Sequence, residues 1–461
     1  MLDRIKNRLF KLYLNYKYRP GKLKRYIRKK SKFKGISLKK SIIEEEYLAE
    51  SPGTTGVEDH FDFGDESSSV RVAAIQVKME LYNEPLRFAD KMEELVLDAC
   101  REGAELLVFP EDNLIQLLGL LPGIEANSNN REKYERREYG EESREELKEE
   151  QNRNKQNEIR EKENLENGRT DIDELLSGLG EDITVADILV FIGPIIRKIT
   201  LAIFSELSLK YNVYIMAGSG LFPEEITNHR RNSSTNYCRK SSNNSSNKFN
   251  RNSSKSNNSK SNNSKKNNLN KSNAVYNTAY LFGPDGCLLG RQKKNHLLPM
   301  EEDWGLYTGE ELVVLSTGIG RLAFPVCMDA TYFETFQIAY QKNADIVMIP
   351  IANPDPDYNY WTALRGIWGR VQESPVYGIK SAMVGNFLGF KLTGQSGVYG
   401  PIPLTANKDG IIAESAYHDR EDIITAELDL DLLRKYRANR VIDENRDFKE
   451  RNFPSIYNRL S

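Results

Sequence analysis

Strand-like apolar runs alternate with helical patterns along most of this chain, and this alternation most constrains its fold. Five of the runs are VRVAAIQV at 70–77, AELLVFPE at 104–111, VYIMAGSG at 213–220, ADIVMIPIA at 344–352 and VYGIKSAMVGN at 376–386. Since most of these runs are apolar at both alternating positions, we expect strands that are buried on both faces. Helical patterns separate the runs, at about 85–101, 195–211, 331–342 and 360–375. The sequence therefore predicts an α/β layered sandwich.

Two polar tracts interrupt this alternation. Residues 125–170 are charged and rich in Asn, and residues 229–273 consist almost wholly of Ser, Asn, Lys and Arg. Both tracts lack the apolar residues that a core needs, so we expect disordered surface inserts. A long surface loop adds little closure entropy, and the domain around the inserts is therefore expected to fold.

A segment of reversed charges precedes the predicted domain. Residues 1–40 hold sixteen Lys or Arg and one Asp, whereas residues 41–69 hold nine acids and no Lys or Arg. We expect residues 1–69 to form a basic and then acidic extension, residues 70–437 to form one domain, and residues 438–461 to form a tail.

Composition limits the classes of protein to consider. The 461 residues have a net charge of −2 and a mean hydropathy of −0.60, so the whole chain has no bulk attraction to nucleic acid or membrane. No apolar stretch is expected to reach the roughly 20 residues of a membrane span. The spacings of Cys100, Cys238, Cys287 and Cys327 match no metal site or disulfide framework. We expect a soluble, cytoplasmic protein with free thiols and no metal.

Three apolar strands end near residues with acid–base or nucleophilic chemistry. Glu111 ends LLVFPE, Lys294 lies near the end of GRQKKNHL, and Cys327 ends LAFPVC just before a helical pattern. A Cys close to a helix N-terminus is favoured as a thiolate, and a neighbouring Glu can act as general base. A neighbouring Lys and the backbone N–H of Met328 can stabilise a tetrahedral oxyanion. Together these residues make a complete set for acyl transfer.

The order of these residues and their flanking motifs resembles the carbon–nitrogen hydrolase (nitrilase-like) superfamily. The matching elements are Gln76 in the first strand, Phe109-Pro110-Glu111, Lys293-Lys294-Asn295-His296-Leu297, Cys327-Met328-Asp329 and Phe333-Glu334. The resemblance implies a four-layer αββα sandwich, a homodimer or higher homo-oligomer, and neither metal nor organic cofactor. It also implies that a Glu111–Lys294–Cys327 triad hydrolyses a non-peptide C–N bond through a Cys thioester.

The resemblance also selects among neighbouring residues. Lys294 is preferred over Lys293 because the family's lysine stands two residues before the His, and side chains alternate across a strand. The family uses a second glutamate, for which HLLPMEEDWG offers Glu301 and Glu302. The Pro-x-Glu spacing favours Glu301, but both remain open. By the same resemblance, His296 is structural.

The substrate is less constrained than the reaction. Many family members have an Arg four residues after the Cys, where this chain has Thr331. Substrate class therefore cannot be carried over from those members, although an amide or carbamoyl amide is favoured over a nitrile. We expect Asn353, Tyr360 and Trp361 to form part of the pocket wall. The alternative is a non-catalytic binding protein whose residues 1–40 contact anionic lipid or nucleic acid.

Overall fold

The computed structural model describes six stretches of the chain and one isolated residue. These are residues 68–121, 185–225, 273–355, 357–364, 366–387, 390–439 and 451. Almost all of the N-terminal extension, both polar tracts and most of the C-terminal tail lie outside the described residues.

Thirteen strands and seven α-helices are found in this part of the chain. The strands are β1 (Ser69–Lys78), β2 (Leu106–Val108), β3 (Tyr214–Glu225), β4 (Asn273–Phe282), β5 (Leu288–Lys293), β6 (Val314–Thr317), β7 (Gly320–Ala323), β8 (Ile346–Ala352), β9 (Tyr377–Phe387), β10 (Phe390–Leu392), β11 (Gly397–Tyr399), β12 (Ile411–Glu414) and β13 (Asp422–Asp429). The helices are α1 (Pro85–Arg101), α2 (Val185–Tyr211), α3 (Pro299–Asp303), α4 (Phe333–Gln341), α5 (Tyr360–Leu364), α6 (Trp368–Glu373) and α7 (Leu430–Ala438). Three 3₁₀ helices span Asn113–Leu120, Cys327–Thr331 and Ile402–Leu404.

The strands form two sheets that share β1. In the first sheet the order is β5-β4-β3-β2-β1-β13, and in the second it is β6-β7-β8-β9-β11-β12. The last two residues of β1, Val77 and Lys78, pair with β9 and join the sheets. Strands β1, β2 and β3 are parallel, as are β7, β8 and β9.

Three apolar layers show how the sheets and helices stack. Alternate residues of β1 point to opposite layers: Ile75 packs toward α1 and α2, whereas Val72 packs between the two sheets. A third apolar layer lies between the second sheet and helices α4 to α6, with Phe336 and Val347 among its members. This stacking is an αββα sandwich, as expected, and it explains why these strands are apolar on both faces.

The same strand directions bring several strand ends to one edge. Because β5 runs antiparallel to β4, and β4 antiparallel to β3, strand β5 has the direction of β2 and β3. The parallel pairing of β1 with β9 gives both sheets a common direction. The carboxyl ends of β2, β5, β7 and β8 therefore face the same side of the domain, and the segments that follow them build the site below.

Helix α2 corrects two expectations. It begins ten residues earlier than the predicted 195, and with 27 residues it is long and apolar enough to cross a membrane by length and composition. However, 61% of its most apolar window is buried, and its buried residues belong to the layer against the first sheet. The helix therefore serves as a core helix of this domain.

Two smaller expectations also need correction. The single helix expected over 360–375 is two short helices, α5 and α6. Cys287 is disulfide-bonded, whereas Cys100 and Cys327 are free. Because Cys287 is in a disulfide bond, the expectation that all cysteines of this chain are free thiols is wrong.

Candidate active site

A buried lysine links two carboxylates at the shared edge of the sheets. Lys294 directly follows β5, and its side chain is 1% exposed. Its Nζ lies 2.9 Å from Glu111 Oε1 and 2.6 Å from Glu301 Oε2. Buried ions need partners of this kind, because an unpaired charge inside a protein is costly. The structure thus brings together residues that are 183 positions apart in the chain.

Each carboxylate is also held by neutral donors. Glu111 follows β2, and its Oε2 accepts a 2.9 Å hydrogen bond from the backbone N–H of Ala352 at the end of β8. Glu301 lies in α3, and its Oε2 accepts a 2.8 Å bond from the N–H of Leu298. These bonds fix the position of both carboxylates relative to the Lys294 ammonium.

Asn277 is a residue of this site that the sequence analysis missed. It lies in β4, next to the strand that leads to Lys294, and its Nδ2 donates to Glu111 Oε1 at 2.9 Å and to Glu301 Oε1 at 3.3 Å. Its own Oδ1 is buried and accepts no hydrogen bond in the described structure. The available signal was a fully buried amide within the otherwise apolar strand VYNTAYLF, since a buried polar side chain requires partners.

Cys327 occupies a strained backbone position next to this lysine–carboxylate cluster. It begins the 3₁₀ helix after β7, and its φ of +46° is in the left-handed region that non-glycine residues rarely adopt. The Cys327 thiol and the Glu111 carboxyl group lie close enough for each to shift the pKa of the other. The backbone N–H of Met328 is in the first turn of this 3₁₀ helix, where an N–H group has no acceptor within the helix. Strain of this kind persists where surrounding contacts hold it, often at functional sites.

Asp329 supplies such contacts. It is fully buried, and it accepts hydrogen bonds from the N–H groups of Val326 at 3.0 Å and His296 at 2.8 Å. Its Oδ1 also lies 2.9 Å from His296 Nδ1. Asp329 therefore ties the turn that carries Cys327 to the segment that carries Lys294, and His296 belongs to this structural connection.

The electrostatic setting favours an ammonium and a neutral thiol when no substrate is bound. Burial lowers the pKa of Lys294, but the negative charges of Glu111 and Glu301, and of Cys327 where its thiol is ionised, outweigh it and raise that pKa well above its usual value. Burial raises the pKa of Cys327 well above its usual value, and the charge of Glu111 raises it further, against the opposing effect of Lys294. Burial and Glu301 also raise the pKa of Glu111, although Lys294 opposes them.

These directions correct the expectation that the helix N-terminus favours a resting thiolate. The helix that begins at Cys327 is a 3₁₀ helix of five residues, and α4 begins only at Phe333. A dipole of this length is small beside the desolvation of a buried thiolate and the charge of Glu111. Burial and the charge of Glu111 therefore favour the neutral form of the Cys327 thiol.

Lys293 and Glu302, the alternatives to Lys294 and Glu301 in the sequence analysis, do not face the lysine–carboxylate cluster. Lys293 lies on the opposite face of the strand, with its Nζ 2.8 Å from Glu224 and 3.6 Å from the centre of the Tyr276 ring. Glu302 is exposed, whereas Glu301 is buried against Lys294. The strand alternation and the Pro-x-Glu spacing thus indicated the lysine and the glutamate that face inward.

A pocket opens beside the lysine–carboxylate cluster. It encloses about 480 Å³ of empty space, part of it open to solvent. Its lining consists of Glu111, Asp112, Leu221, Lys294, Leu298, Met300, Glu301, Trp304, Ala352, Pro354, Phe387, Phe390 and Leu392. Cys327 is not part of this lining and is connected to it through Glu111.

The expected pocket wall differs from this lining. Asn353, Tyr360 and Trp361 do not line this pocket, although Ala352 and Pro354 on either side of Asn353 do. Tyr360 donates a hydrogen bond to Glu414, and Trp361 is 76% exposed. The reason is that the chain leaves the pocket after Pro354 and enters α5 on the outer face of the second sheet, where Leu364 packs.

Comparison with known proteins addresses the second half of this domain. The family model for carbon–nitrogen hydrolases matches residues 262–438, which include Lys294, Glu301 and Cys327. The probable hydrolase YhcX of Bacillus subtilis is 30% identical over 38% of this chain and 34% of its own. A nitrilase of Pyrococcus abyssi is 29% identical over 38% of this chain and 62% of its own. The chloroplastic omega-amidase of Arabidopsis thaliana is 26% identical over 37% of this chain and 47% of its own.

Solved structures match a larger part of the chain at lower identity. Saccharomyces cerevisiae Nit3, a member of branch 10 of the nitrilase superfamily, has a TM-score of 0.47 at 16% identity and covers 83% of this chain and 97% of its own. An amidase from Nesterenkonia sp. has a TM-score of 0.43 at 16% identity and covers 81% and 95%, respectively. The curated relatives are matched over only one to two thirds of their length.

The fold and the site define a class, and the comparisons define a family. This is a four-layer αββα protein with a buried lysine–dicarboxylate cluster beside a strained cysteine. By this match, residues 262–438 of the chain belong to the carbon–nitrogen hydrolase (nitrilase) superfamily.

Proposed function

We propose that this protein hydrolyses the C–N bond of a small amide or carbamoyl amide, with Cys327 as nucleophile, Glu111 as general base and Lys294 as oxyanion stabiliser. The observation that carries the proposal is that Lys294 Nζ lies 2.9 Å from Glu111 Oε1, while the same Glu111 carboxyl group raises the pKa of the Cys327 thiol. A nucleophile, a base and a fixed cation at one point are the components of acyl transfer.

In the first half-reaction, Glu111 takes the proton of the Cys327 thiol while the sulfur forms a bond to the amide carbon. The electron pair of the C=O π bond moves to the oxygen, which the Lys294 ammonium and the Met328 N–H stabilise. The tetrahedral intermediate collapses, the C–N bond breaks, and protonated Glu111 returns the proton to the departing amine or ammonia. An acyl thioester on Cys327 remains.

In the second half-reaction, Glu111 removes a proton from water as the water oxygen attacks the thioester carbon. The second intermediate releases the carboxylic acid, and the Cys327 sulfur regains a proton from Glu111. Glu301 keeps the Lys294 ammonium in place throughout, because it remains an ion-pair partner while the protonation state of Glu111 changes.

The test is ammonia release over a panel of amides, carbamoyl amino acids and nitriles. The Cys327→Ala variant serves as the blank. Release that depends on Cys327 supports the proposal, and equal release by the blank contradicts it. Nitriles belong in the panel because the family contains nitrilases, and a nitrile turned over faster than every amide would contradict the assigned bond.

The remaining candidate is a binding protein on the same fold that uses residues 1–40. The sixteen basic residues of this segment favour it, and those residues lie outside the described structure. A salt-sensitive pull-down with anionic vesicles or nucleic acid, compared with a variant lacking residues 1–69, discriminates the two. Retention that is lost on deletion, in a protein without turnover, would favour the binding function.

A further inference from the structure

We infer that Asp112 is a specificity residue and that the amide substrate carries a cationic amino group recognised by its carboxyl group. This inference rests on the proposed function and concerns the class of substrate that the same site accepts. Three observations carry it: Asp112 lines the pocket, its carboxyl oxygen Oδ1 lacks a hydrogen-bond partner among the described residues, and the groups around it carry an excess of negative charge.

Asp112 follows Glu111 directly and lines the same pocket. Its backbone has a φ of +60°, in the left-handed region, and its N–H donates to the Ser219 hydroxyl at 3.4 Å. Aspartate tolerates this conformation better than most residues. The turn therefore directs two successive carboxyl groups, Glu111 and Asp112, to the same region of the domain.

The two carboxyl groups differ in their partners. Glu111 has Lys294, Asn277 and the N–H of Ala352. In contrast, Oδ1 of Asp112 is buried without a hydrogen-bond partner among the described residues. A buried carboxyl oxygen without a donor is costly, so native structures usually supply one. A ligand in the pocket is a donor that could fill this position.

The other residues that line the pocket indicate which charge that ligand would carry. Asp112 and the three residues of the lysine–carboxylate cluster are the ionisable members of the lining, and the others are apolar. Lys294 is the single cation among them, and both Glu111 and Glu301 already contact it. A substrate with an anionic end would meet three carboxyl groups and no available cation. An ammonium group would instead neutralise the excess of acid.

The pKa of the Asp112 carboxyl group also fits the recognition of an ammonium group. Burial raises its pKa well above the usual value, and the charges of Glu111 and Glu301 raise it further, while Lys294 opposes them. An ammonium group that enters the pocket lowers the pKa of Asp112 again and favours its ionised carboxylate form. The apolar side chains around the pocket lower the local dielectric constant and so strengthen the resulting ion pair.

The test uses three amides of equal chain length that differ at the far end. These are 4-aminobutanamide with an ammonium group, pentanamide with a methyl group, and the monoamide of glutaric acid with a carboxylate. Binding to the Cys327→Ala variant is measured by calorimetry at neutral pH, so that turnover does not enter. We expect 4-aminobutanamide to bind about tenfold or more tightly than pentanamide, and the glutaric monoamide to bind most weakly.

Substitution of Asp112 locates the origin of this preference. In the Cys327→Ala background, Asp112→Asn should reduce the affinity ratio of 4-aminobutanamide to pentanamide to near one. Asn keeps the shape and tolerates the left-handed backbone. The matched control is Asp98→Asn, which removes an exposed carboxylate that pairs with Arg101 on α1 and should leave the ratio unchanged.

The outcomes for the inference and for the proposed function are separate. Equal or tighter binding of pentanamide or the glutaric monoamide overturns the inference, as does a preference that survives Asp112→Asn. Ammonia release by the unmodified protein tests the proposed function. Hydrolysis without preference for the ammonium substrate refutes only the inference. Selective binding without turnover of any amide refutes only the hydrolase.

Discussion

Replacement of Lys294 by Ala tests both the chemistry and the energetics of the site. In other acyl-transfer enzymes, loss of one oxyanion donor costs about 2.7–4 kcal/mol, or roughly 10²–10³ in kcat. Lys294 is the side-chain cation that contacts Glu111 in the described structure, so we expect kcat for ammonia release to fall at least about 10²-fold.

The same substitution removes a buried cation from two carboxylates. Breaking a buried ion pair by deleting one partner costs about 3–5 kcal/mol of folding stability. We expect the lower end of this range, because burial and Glu301 already raise the pKa of Glu111 and it can take up a proton when the ammonium is absent. Urea unfolding followed by circular dichroism measures this loss, and it also shows that the variant is folded when kcat is measured.

The matched control is Lys293→Ala. Lys293 pairs with Glu224 on the opposite face of the strand, away from the cluster, so kcat should change little. The loss of stability should be smaller than for Lys294→Ala, because Glu224 keeps Arg291 as an ion-pair partner. The double variant Glu111→Gln with Lys294→Ala should lose about as much activity as the worse single variant, because the residues of one catalytic unit are not additive. The reasoning is refuted if Lys293→Ala is as damaging as Lys294→Ala, or if Lys294→Ala retains nearly full kcat.

Three further predictions follow from the site and the fold. Iodoacetamide should inactivate the protein in step with alkylation of Cys327, because Glu111 can accept the proton of this thiol. Labelling of Cys100 should be slower, because burial raises the pKa of Cys100 to about 11. Activity that persists after Cys327 is fully alkylated would exclude Cys327 as the nucleophile. Glu111 must be deprotonated to act as base, and its pKa is raised. We therefore expect kcat/KM to fall with decreasing pH, at a midpoint above the usual pKa of glutamate. A midpoint at or below that pKa would argue against Glu111 as the base. Deletion of 232–272 should leave a folded, active protein in reducing buffer, where the disulfide bond of Cys287 is open in the undeleted protein as well. Residues 226–231 would still join the paired ends of β3 and β4, and a loss of cooperative unfolding would show that the tract is structural.

Local sequence patterns determined much of the framework. The apolar run at 70–77 and the helical pattern at 85–101 predicted β1 and α1 almost to the residue, because each has a clear period and a marked boundary. The beginning of α2 was missed, because it contains Pro194 and follows a long polar tract. Side-chain alternation indicated that only one of Lys293 and Lys294 faces inward, and the family resemblance selected Lys294, which the structure places inside.

The contents of the site depended on the tertiary structure. The amide of Asn277 stands out in the strand VYNTAYLF, but its partners Glu111 and Glu301 are set by the packing of β4 beside the segment that carries Lys294. The family model begins at residue 262 and does not include Glu111, which the sequence motif had indicated; the parallel pairing of β2 with β1 and β3 is part of the framework that brings Glu111 to Lys294.

The sequence by itself determined the order of strands and helices, the reactive residue types and their family resemblance. Only the tertiary structure decided that burial and Glu111 raise the pKa of the Cys327 thiol and that Asp112 lines the pocket with an unpartnered oxygen. The physical reason is that a periodic pattern is a property of neighbouring residues. Desolvation and charge–charge distance depend instead on every segment that packs around a group, and here those segments are up to 241 positions apart in the chain.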